Sequence, residues 1–339
     1  MTLTSQGAQF LIQSISTVVL ARLLTPADFG MVAMVTAITG LGQAFADLGL
    51  SEATIQCQEV THIQVSTLFW INVAVGLTLM MATIALGPVL AWFYGQPQIE
   101  SITFVLSLTF LICGLRVQHD ALLRRQMRFL SLAIRDVTSS ALAVPVAITM
   151  AWHGAGYWAL VALPLTLNLT QMVMSWLMVR WVPGLPRRQA KIGSMIVFGS
   201  NVAASYLITN VNRSVDNVLI GWYWGAGPLG LYSRAYNLLM LPVRQLTIPA
   251  SSVAVPTLSR IQDDPERFAR YYLRAAKLIM WICTPILGFL FVAAQPVIVL
   301  MLGNKWREAA PVFQILVICG LGQLLLQSVV WLFVSRGQA

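Results

Sequence analysis

SMIVFGSNVAASYLITNVNRSVDNVLIGWYWGAGPLGLYSRAYNLLMLPVRQLTIPASSVAVPTL, Ser194 to Leu258, decides how this chain is read. It holds two long apolar segments, too hydrophobic for a water-facing surface, with charges set inside them. Arg213 and Asp216 fall near the end of the first segment, Arg234 opens the second, and Arg244 lies well inside it. Asn201, Asn210, Asn212 and Asn217 add polar groups to the first. An ionisable side chain at membrane depth costs roughly 2.5–3.5 kcal/mol even on the lenient insertion scale. Such residues face a bundle interior or a watery cavity, where they mark a route for something polar.

The rest of the chain is of the same kind. Of 339 residues, 58% are hydrophobic and 10% charged, and the mean hydropathy is +0.75. Apolar runs of about 20 residues, each long enough to cross a hydrocarbon core, recur from end to end. The fold class is therefore all-α, a polytopic membrane protein. The alternating short strands of a membrane barrel are absent. The formal net charge of +9 suggests nucleic-acid binding at first sight. The basic residues sit at helix ends, however, and the positive-inside rule explains that placement better. Cys57, Cys113, Cys283 and Cys319 are far apart and read as small buried hydrophobes; His62, His119 and His153 form no ligand set. The first apolar segment lacks the basic leader and small-residue site of a cleaved signal, so it reads as a retained helix.

Ten membrane segments are expected, at about 3–21, 28–50, 67–93, 99–118, 131–151, 155–180, 193–221, 228–257, 270–302 and 309–334. Thr25, Pro26 and Asp28 form a capping-box start for the second. Asp264 and Pro265 open a helix whose Arg and Tyr residues suit a headgroup-level lead-in to the ninth. Loops after even-numbered segments carry the basic clusters: Arg124, Arg125 and Arg128; Arg180, Arg187, Arg188 and Lys191; Arg260, Arg267, Arg270, Arg274 and Lys277. Those loops, and with them the N-terminus, are expected on the cytoplasmic side. Lys305 and Arg307 are the exception.

An internal echo divides the chain. Pro26-Ala-Asp-Phe-Gly30 resembles Pro228-Leu-Gly230, with the glycines 200 residues apart (230 − 30). Ile112-Cys-Gly-Leu115 returns as Ile318-Cys-Gly-Leu321, 206 residues on (318 − 112). The pattern predicts a parallel repeat of the kind transporters build around a central site. Residues 1–181 are then a complete six-helix lobe, 182–190 a cytoplasmic linker rich in Pro, Gly and charge, and 191–339 four helices of a second lobe. The expectation is that this chain is part of a protein of at least twelve helices, with a natural ten-helix protein as the alternative.

Arg213, Arg234 and Arg244 are the cationic candidates for a substrate cavity. Arg213 and Asp216 share a helix face and read equally well as a pair that steadies the bundle. Arg234 also suits snorkelling to headgroups. Arg244 lies beside Pro242, Pro249 and Pro256, each of which removes a helix hydrogen bond. Asp47 and Asp216 are the candidates for ion coupling, and Asp47 also reads as an interfacial residue at a helix end. Arg135 and Asp136 read as an interface pair. No nucleophile elbow, phosphate loop, metal motif or catalytic carboxylate pair is present, so no enzyme activity and no cofactor are expected; Na+ or H+ would serve for coupling.

Several stretches carry a family resemblance. They are Ala21-Arg-Leu-Leu-Thr-Pro-Ala-Asp-Phe-Gly30, Phe45-Ala-Asp-Leu-Gly-Leu50, Ser214-Val-Asp-Asn-Val-Leu-Ile-Gly221, Leu229-Gly-Leu-Tyr-Ser-Arg-Ala-Tyr-Asn-Leu238 and Leu258-Ser-Arg-Ile-Gln-Asp-Asp-Pro-Glu-Arg267. Together they resemble the bacterial polysaccharide-transport family of lipopolysaccharide, O-antigen and exopolysaccharide flippases. That family belongs to the multidrug/oligosaccharidyl-lipid/polysaccharide flippase superfamily. The resemblance implies two six-helix lobes around a central cavity in the bacterial inner membrane. It also implies alternating access for an oligosaccharide on undecaprenyl diphosphate, with membrane lipids and polysaccharide polymerase or export components as partners and no nucleic acid. Related flippases engage the anionic cargo with cationic cavity residues, a role open by position to Arg213, Arg234 and Arg244. The alternatives are a cation-coupled multidrug exporter of the same superfamily and a non-transporting scaffold for a polysaccharide synthesis complex.

Overall fold

The computed structural model describes residues 3–46, 49–57, 60–186, 193, 214–262 and 264–335. Among the described residues all regular structure is helical: α1 (Leu3–Leu23), α2 (Pro26–Ala46), α3 (Leu50–Gln56), α4 (His62–Tyr94), α5 (Gln98–Arg125), α6 (Phe129–Trp152), α7 (Tyr157–Val179), α8 (residues 214–224), α9 (Ala226–Ser259), α10 (Pro265–Val292), α11 (Ala294–Leu302) and α12 (Ala309–Ser335). Seven of them are long and apolar enough to cross a membrane: α4, α5, α6, α7, α9, α10 and α12. The chain is a multi-pass membrane protein. It divides into two compact units, Met1–Gly230 and Leu231–Ala339. The division falls inside α9, whose first turn packs with the first unit.

Local chemistry sets the helix starts. At α2, Asp28 Oδ2 accepts from the Thr25 N–H at 2.9 Å and its hydroxyl at 2.6 Å, and Thr25 Oγ1 accepts from the Asp28 N–H at 3.3 Å. This is the expected capping box. A second one, Thr61 with Gln64, starts α4 at His62, five residues before the expected position. Asp264 caps α10 by accepting from the Arg267 N–H at 3.0 Å, with Pro265 at the first helical position. The amphipathic lead-in is thus the opening of the ninth span itself.

Three expectations are corrected. The run 270–302 is not one helix: α10 stops at Val292 and α11 begins at Ala294. Pro296 has no N–H to donate back to Val292, and the chain restarts with Val297 N–H bonded to the Ala293 carbonyl at 2.9 Å. The connection expected between the second and third segments contains α3, which seats Leu50 and Ala53 against Leu68 of α4. Arg125 donates from Nη1 to the carbonyls of Thr54, at 2.9 Å, and Cys57. It closes the C-terminal end of α3, where carbonyls are unsatisfied and a cation is favoured. Finally, the fourth span runs on to Arg125 instead of ending near 118, which places Asp120 in the same helix as Arg116. The expected seventh span, 193–221, lies largely outside the described residues.

In the first unit α4 and α5 form a close antiparallel pair. A Cβ on Gly76 would stand 2.6 Å from the Phe110 carbonyl oxygen, and one on Gly114 2.6 Å from that of Asn72. Glycine at both points lets the backbones meet. The residues after α7 are strapped to this pair. Trp70 Nε1 donates to the Gly184 carbonyl at 2.9 Å, the Gly184 N–H donates to Ser66 Oγ at 3.0 Å, and His119 Nε2 lies 3.2 Å from the Trp181 carbonyl. His119 stacks on Trp176 at 4.3 Å between ring centroids. The opening of the expected linker, through Pro186, is therefore fixed to the first unit. In the second unit α10 and α11 pack on α12, Trp306 is fully buried, and Trp331 Nε1 donates to Ser251 Oγ at 2.8 Å.

Candidate functional site: a charged cleft among α1, α5, α6 and α7

The longer α5 carries Arg116 and Asp120 four residues apart, on one face. Arg116 Nε lies 3.3 Å from Asp120 Oδ2. Arg135, in the second turn of α6, donates from Nη1 to Asp120 Oδ1 and to Ser175 Oγ, the latter at 3.2 Å. Its Nη2 and Nε reach Asp136 Oδ1 at 2.6 and 2.9 Å. From α7, Ser175 Oγ donates to Asp120 Oδ1 at 2.6 Å and Gln171 Nε2 donates to Asp136 Oδ1 at 3.2 Å. Gln171 Oε1 in turn accepts from Arg116 Nη1. Six side chains from three helices thus form one network, with Arg135, 6% exposed, at its centre.

The network floors a cavity of about 530 Å³. Gln9, Gln13 and Ser16 of α1 form one wall, and Leu163, Pro164 and Leu167 of α7 another. Arg124 also lines the cavity and lies 3.8 Å from Glu52. At 1.5 Å per residue, Arg116 lies roughly 14 Å and Arg135 roughly 9 Å from the helix ends that carry Arg124, Arg125 and Arg128. The cleft is therefore well inside the apolar length of the bundle.

The donor arithmetic shows what the cleft can do. A guanidinium has five N–H donors. Arg135 has engaged four of them, and both carboxylates already accept from arginine. Among the described residues, Arg116 Nη2 has no acceptor, so its two N–H donors are open to an incoming oxyanion. The cavity carries three arginines and two aspartates, which favours an anionic guest. Buried ion pairs are weak evidence for stability, because a well-packed apolar replacement is often as stable or more so. A network of this size inside an apolar bundle points to function.

The expected site residues fall elsewhere. Arg213 and Asp47 lie outside the described residues. Asp216 is half-buried on α8, where its Oδ1 accepts from the Asn217 N–H at 2.9 Å. Arg234 is half-buried and Arg244 exposed, both on α9; ten residues apart, they are separated by about 15 Å along the axis. Arg135 and Asp136, read from the sequence as an interface pair, are instead the centre of the cleft. Arg116, Asp120, Gln171 and Ser175 were missed. Their one local signal is the i, i+4 Arg–Asp spacing at the end of an apolar run.

Comparison with known proteins extends the assignment. The family model described as "Polysaccharide biosynthesis protein" matches residues 19–311. The lipopolysaccharide biosynthesis protein WzxC of Escherichia coli is 26% identical over 309 residues, covering 89% of this chain and 62% of that protein. The teichuronic acid biosynthesis protein TuaB of Bacillus subtilis is 26% identical, covering 97% and 68%. The succinoglycan biosynthesis transport protein ExoT of Rhizobium meliloti is 24% identical, covering 92% and 63%. The chain thus spans about two thirds of the length of these curated relatives. Among solved structures, the fold is similar to the lipid II flippase MurJ in an inward closed conformation, with TM-score 0.76 and 14% identity over 99% of this chain and 76% of that one. It is also similar to an inward-facing multidrug transporter of the MATE family, with TM-score 0.73 and 13% identity over 97% and 81%.

Proposed function

Because the chain belongs to the polysaccharide biosynthesis protein family, we propose that it is the greater part of a flippase for undecaprenyl-diphosphate-linked oligosaccharides in the bacterial inner membrane. The observation that carries this reading is the charged cleft, with Arg116 Nη2 open to an oxyanion. In this reading the protein has about ten helices here, a six-helix first lobe and a partial second lobe around a central cavity, with the N-terminus cytoplasmic. It catalyses no reaction.

The physical problem is the diphosphate. An isolated charge moved into a low-dielectric medium costs tens of kcal/mol before relaxation. A guanidinium replaces the lost hydration with charge-assisted, two-pronged hydrogen bonds. Arg116 would receive the phosphate first, with Gln171 and Asp120 holding its guanidinium in place. Arg234 and Arg244 would serve as further cations on the path, and Asp47 or Asp216 as coupling sites for Na+ or H+. The prenyl tail stays in the bilayer while the headgroup crosses, and rocking of the lobes alternates the access.

In a polysaccharide-producing strain, Arg116→Ala and Arg244→Ala should each lower surface polysaccharide while leaving the amount of protein in the membrane unchanged. Normal polymer from both variants would remove the role assigned to them. A cation-coupled drug exporter is favoured by one feature, the two carboxylates in the cleft. Both are held by arginine, so neither is free to bind a cation. Unchanged drug susceptibility in an exporter-deficient host is the matching expectation.

A further inference from the structure

The corner between α11 and α12 encloses a second polar cavity, of about 580 Å³. We propose that it binds an acidic saccharide, with a carboxylate on the Arg307 guanidinium and hydroxyls on the amides around it. The cavity belongs to the second unit. Gln295, Asn304, Lys305, Arg307, Glu308 and Gln314 dominate its described lining. α10 has 28 residues, roughly 42 Å at 1.5 Å per residue, and its opening turns carry Arg267, Arg270, Arg274 and Lys277. The corner lies at the other end of that helix. The positive-inside rule gathers cations at the basic end, and Lys305 and Arg307 are the exception to it already visible in the sequence. Cations kept against that bias point to an anion.

The corner is built to present these groups. Trp306 is fully buried, while Lys305 and Arg307 on either side of it are exposed. Gly303, at φ +101°, turns the chain from α11 into the short 3-10 turn Asn304–Trp306, a conformation that favours glycine. Gln314 Nε2 donates to the Phe291 carbonyl at 3.1 Å, in the last turn of α10, where carbonyls lack helical partners. With its amide oxygen turned to the guanidinium, Gln295 accepts from Arg307 Nε at 3.1 Å and from Nη2 at 3.0 Å. This leaves the outer edge of the guanidinium, one N–H from each of Nη1 and Nη2. Among the described residues no acceptor meets that edge, and it is the fork that fits a carboxylate. The rest of the lining selects among anions. Phosphate, free or on a lipid, presents chiefly acceptors: the Glu308 carboxylate would repel it, and the amide oxygens of Asn304 and Gln314 would find no donor on it. Sugar hydroxyls both donate and accept, so they use the amides and the carboxylate together. Under the transport reading such a site would meet the saccharide at the face to which it is delivered, but the site stands on its own chemistry.

The test is saturation-transfer NMR on the purified chain in detergent, with trigalacturonate as the acidic probe and maltotriose as the neutral one. Inorganic phosphate and glycerol phosphate serve as competitors. The site predicts that trigalacturonate binds at least tenfold more tightly than maltotriose and that neither phosphate displaces it. Arg307→Ala should lose at least tenfold in affinity, because the fork is gone. Lys277→Ala, which removes one cation from the opposite end of α10, should bind as the parent does. Both positions are exposed, so neither change opens the core. Absence of trigalacturonate binding, parental binding by Arg307→Ala, or displacement by either phosphate overturns the proposal. Loss of binding in Arg116→Ala with parental binding in Arg307→Ala would move the anion to the cleft of the first unit and overturn it as well. The readout needs no lipid-linked cargo and no transport, so failure of this site and failure of the flippase reading are told apart.

Discussion

The first unit holds a cleft of about 530 Å³ and the second a groove of about 510 Å³, and in chemistry they are opposites. Arginine, aspartate and glutamine from α5, α6 and α7 floor the cleft. Leu246, Val253, Leu278 and Ile282 are typical of the groove, and Arg274 is the one charged residue among its described lining. A groove of that kind costs nothing to leave in hydrocarbon, and lipid tails satisfy it. The cleft is tenable only because each charge has partners, and it would be no less stable as apolar side chains. Equal size with opposite cost is the contrast on which the proposed anion-binding role of the cleft rests.

The largest effect should come from breaking the cleft at its centre. Arg135→Ala leaves Asp120 and Asp136 without their central partner and should lower stability by about 3–5 kcal/mol. Thermal unfolding in detergent reads this directly. The neutral set Arg116→Met, Arg135→Met, Asp120→Asn and Asp136→Asn should restore stability to the parent value or above and still fail to export polysaccharide. Recovery of export along with stability would make the network purely structural.

Next is a charge in the wrong cavity. Ile282→Asp, on the groove wall of α10, should cost roughly 2.5–3.5 kcal/mol, seen as reduced accumulation in the membrane. An aspartate at Val144, which lines the cleft about 14 Å along α6 from Arg135, should cost less. Equal losses at the two positions would erase the distinction drawn between them.

Smaller changes separate support from contact. Gln171→Leu deprives Arg116 Nη1 of its acceptor and should cost about 1–3 kcal/mol. Arg116→Lys keeps the charge and removes the fork, so the protein should still accumulate in the membrane while export falls several-fold. A lysine variant that exports normally would mean that charge alone suffices at this position.

The same contrast explains what could be read from the sequence. Membrane character, the capping box at Thr25 and the Asp264–Pro265 start are local and were legible. The restart at Ala294 was not, because the apolar run continues through it and only Pro296 marks the break. The cleft was hidden for a different reason. Its contacts join residues 15, 35, 40 and 55 apart in sequence, and the polar run Arg116–Asp120 resembles the end of a span until α5 is seen to continue for another turn. Arg125 shows the converse: a residue read as part of a basic loop closes a short helix instead.

The most direct test of the account is binding of undecaprenyl diphosphate to the purified chain in detergent, measured by native mass spectrometry for the parent, Arg116→Ala and Arg274→Ala. The account predicts at least a tenfold loss of affinity for Arg116→Ala and parental affinity for Arg274→Ala. Parental binding by Arg116→Ala, or an equal loss in both variants, would contradict the claim that the cleft of the first unit receives the diphosphate.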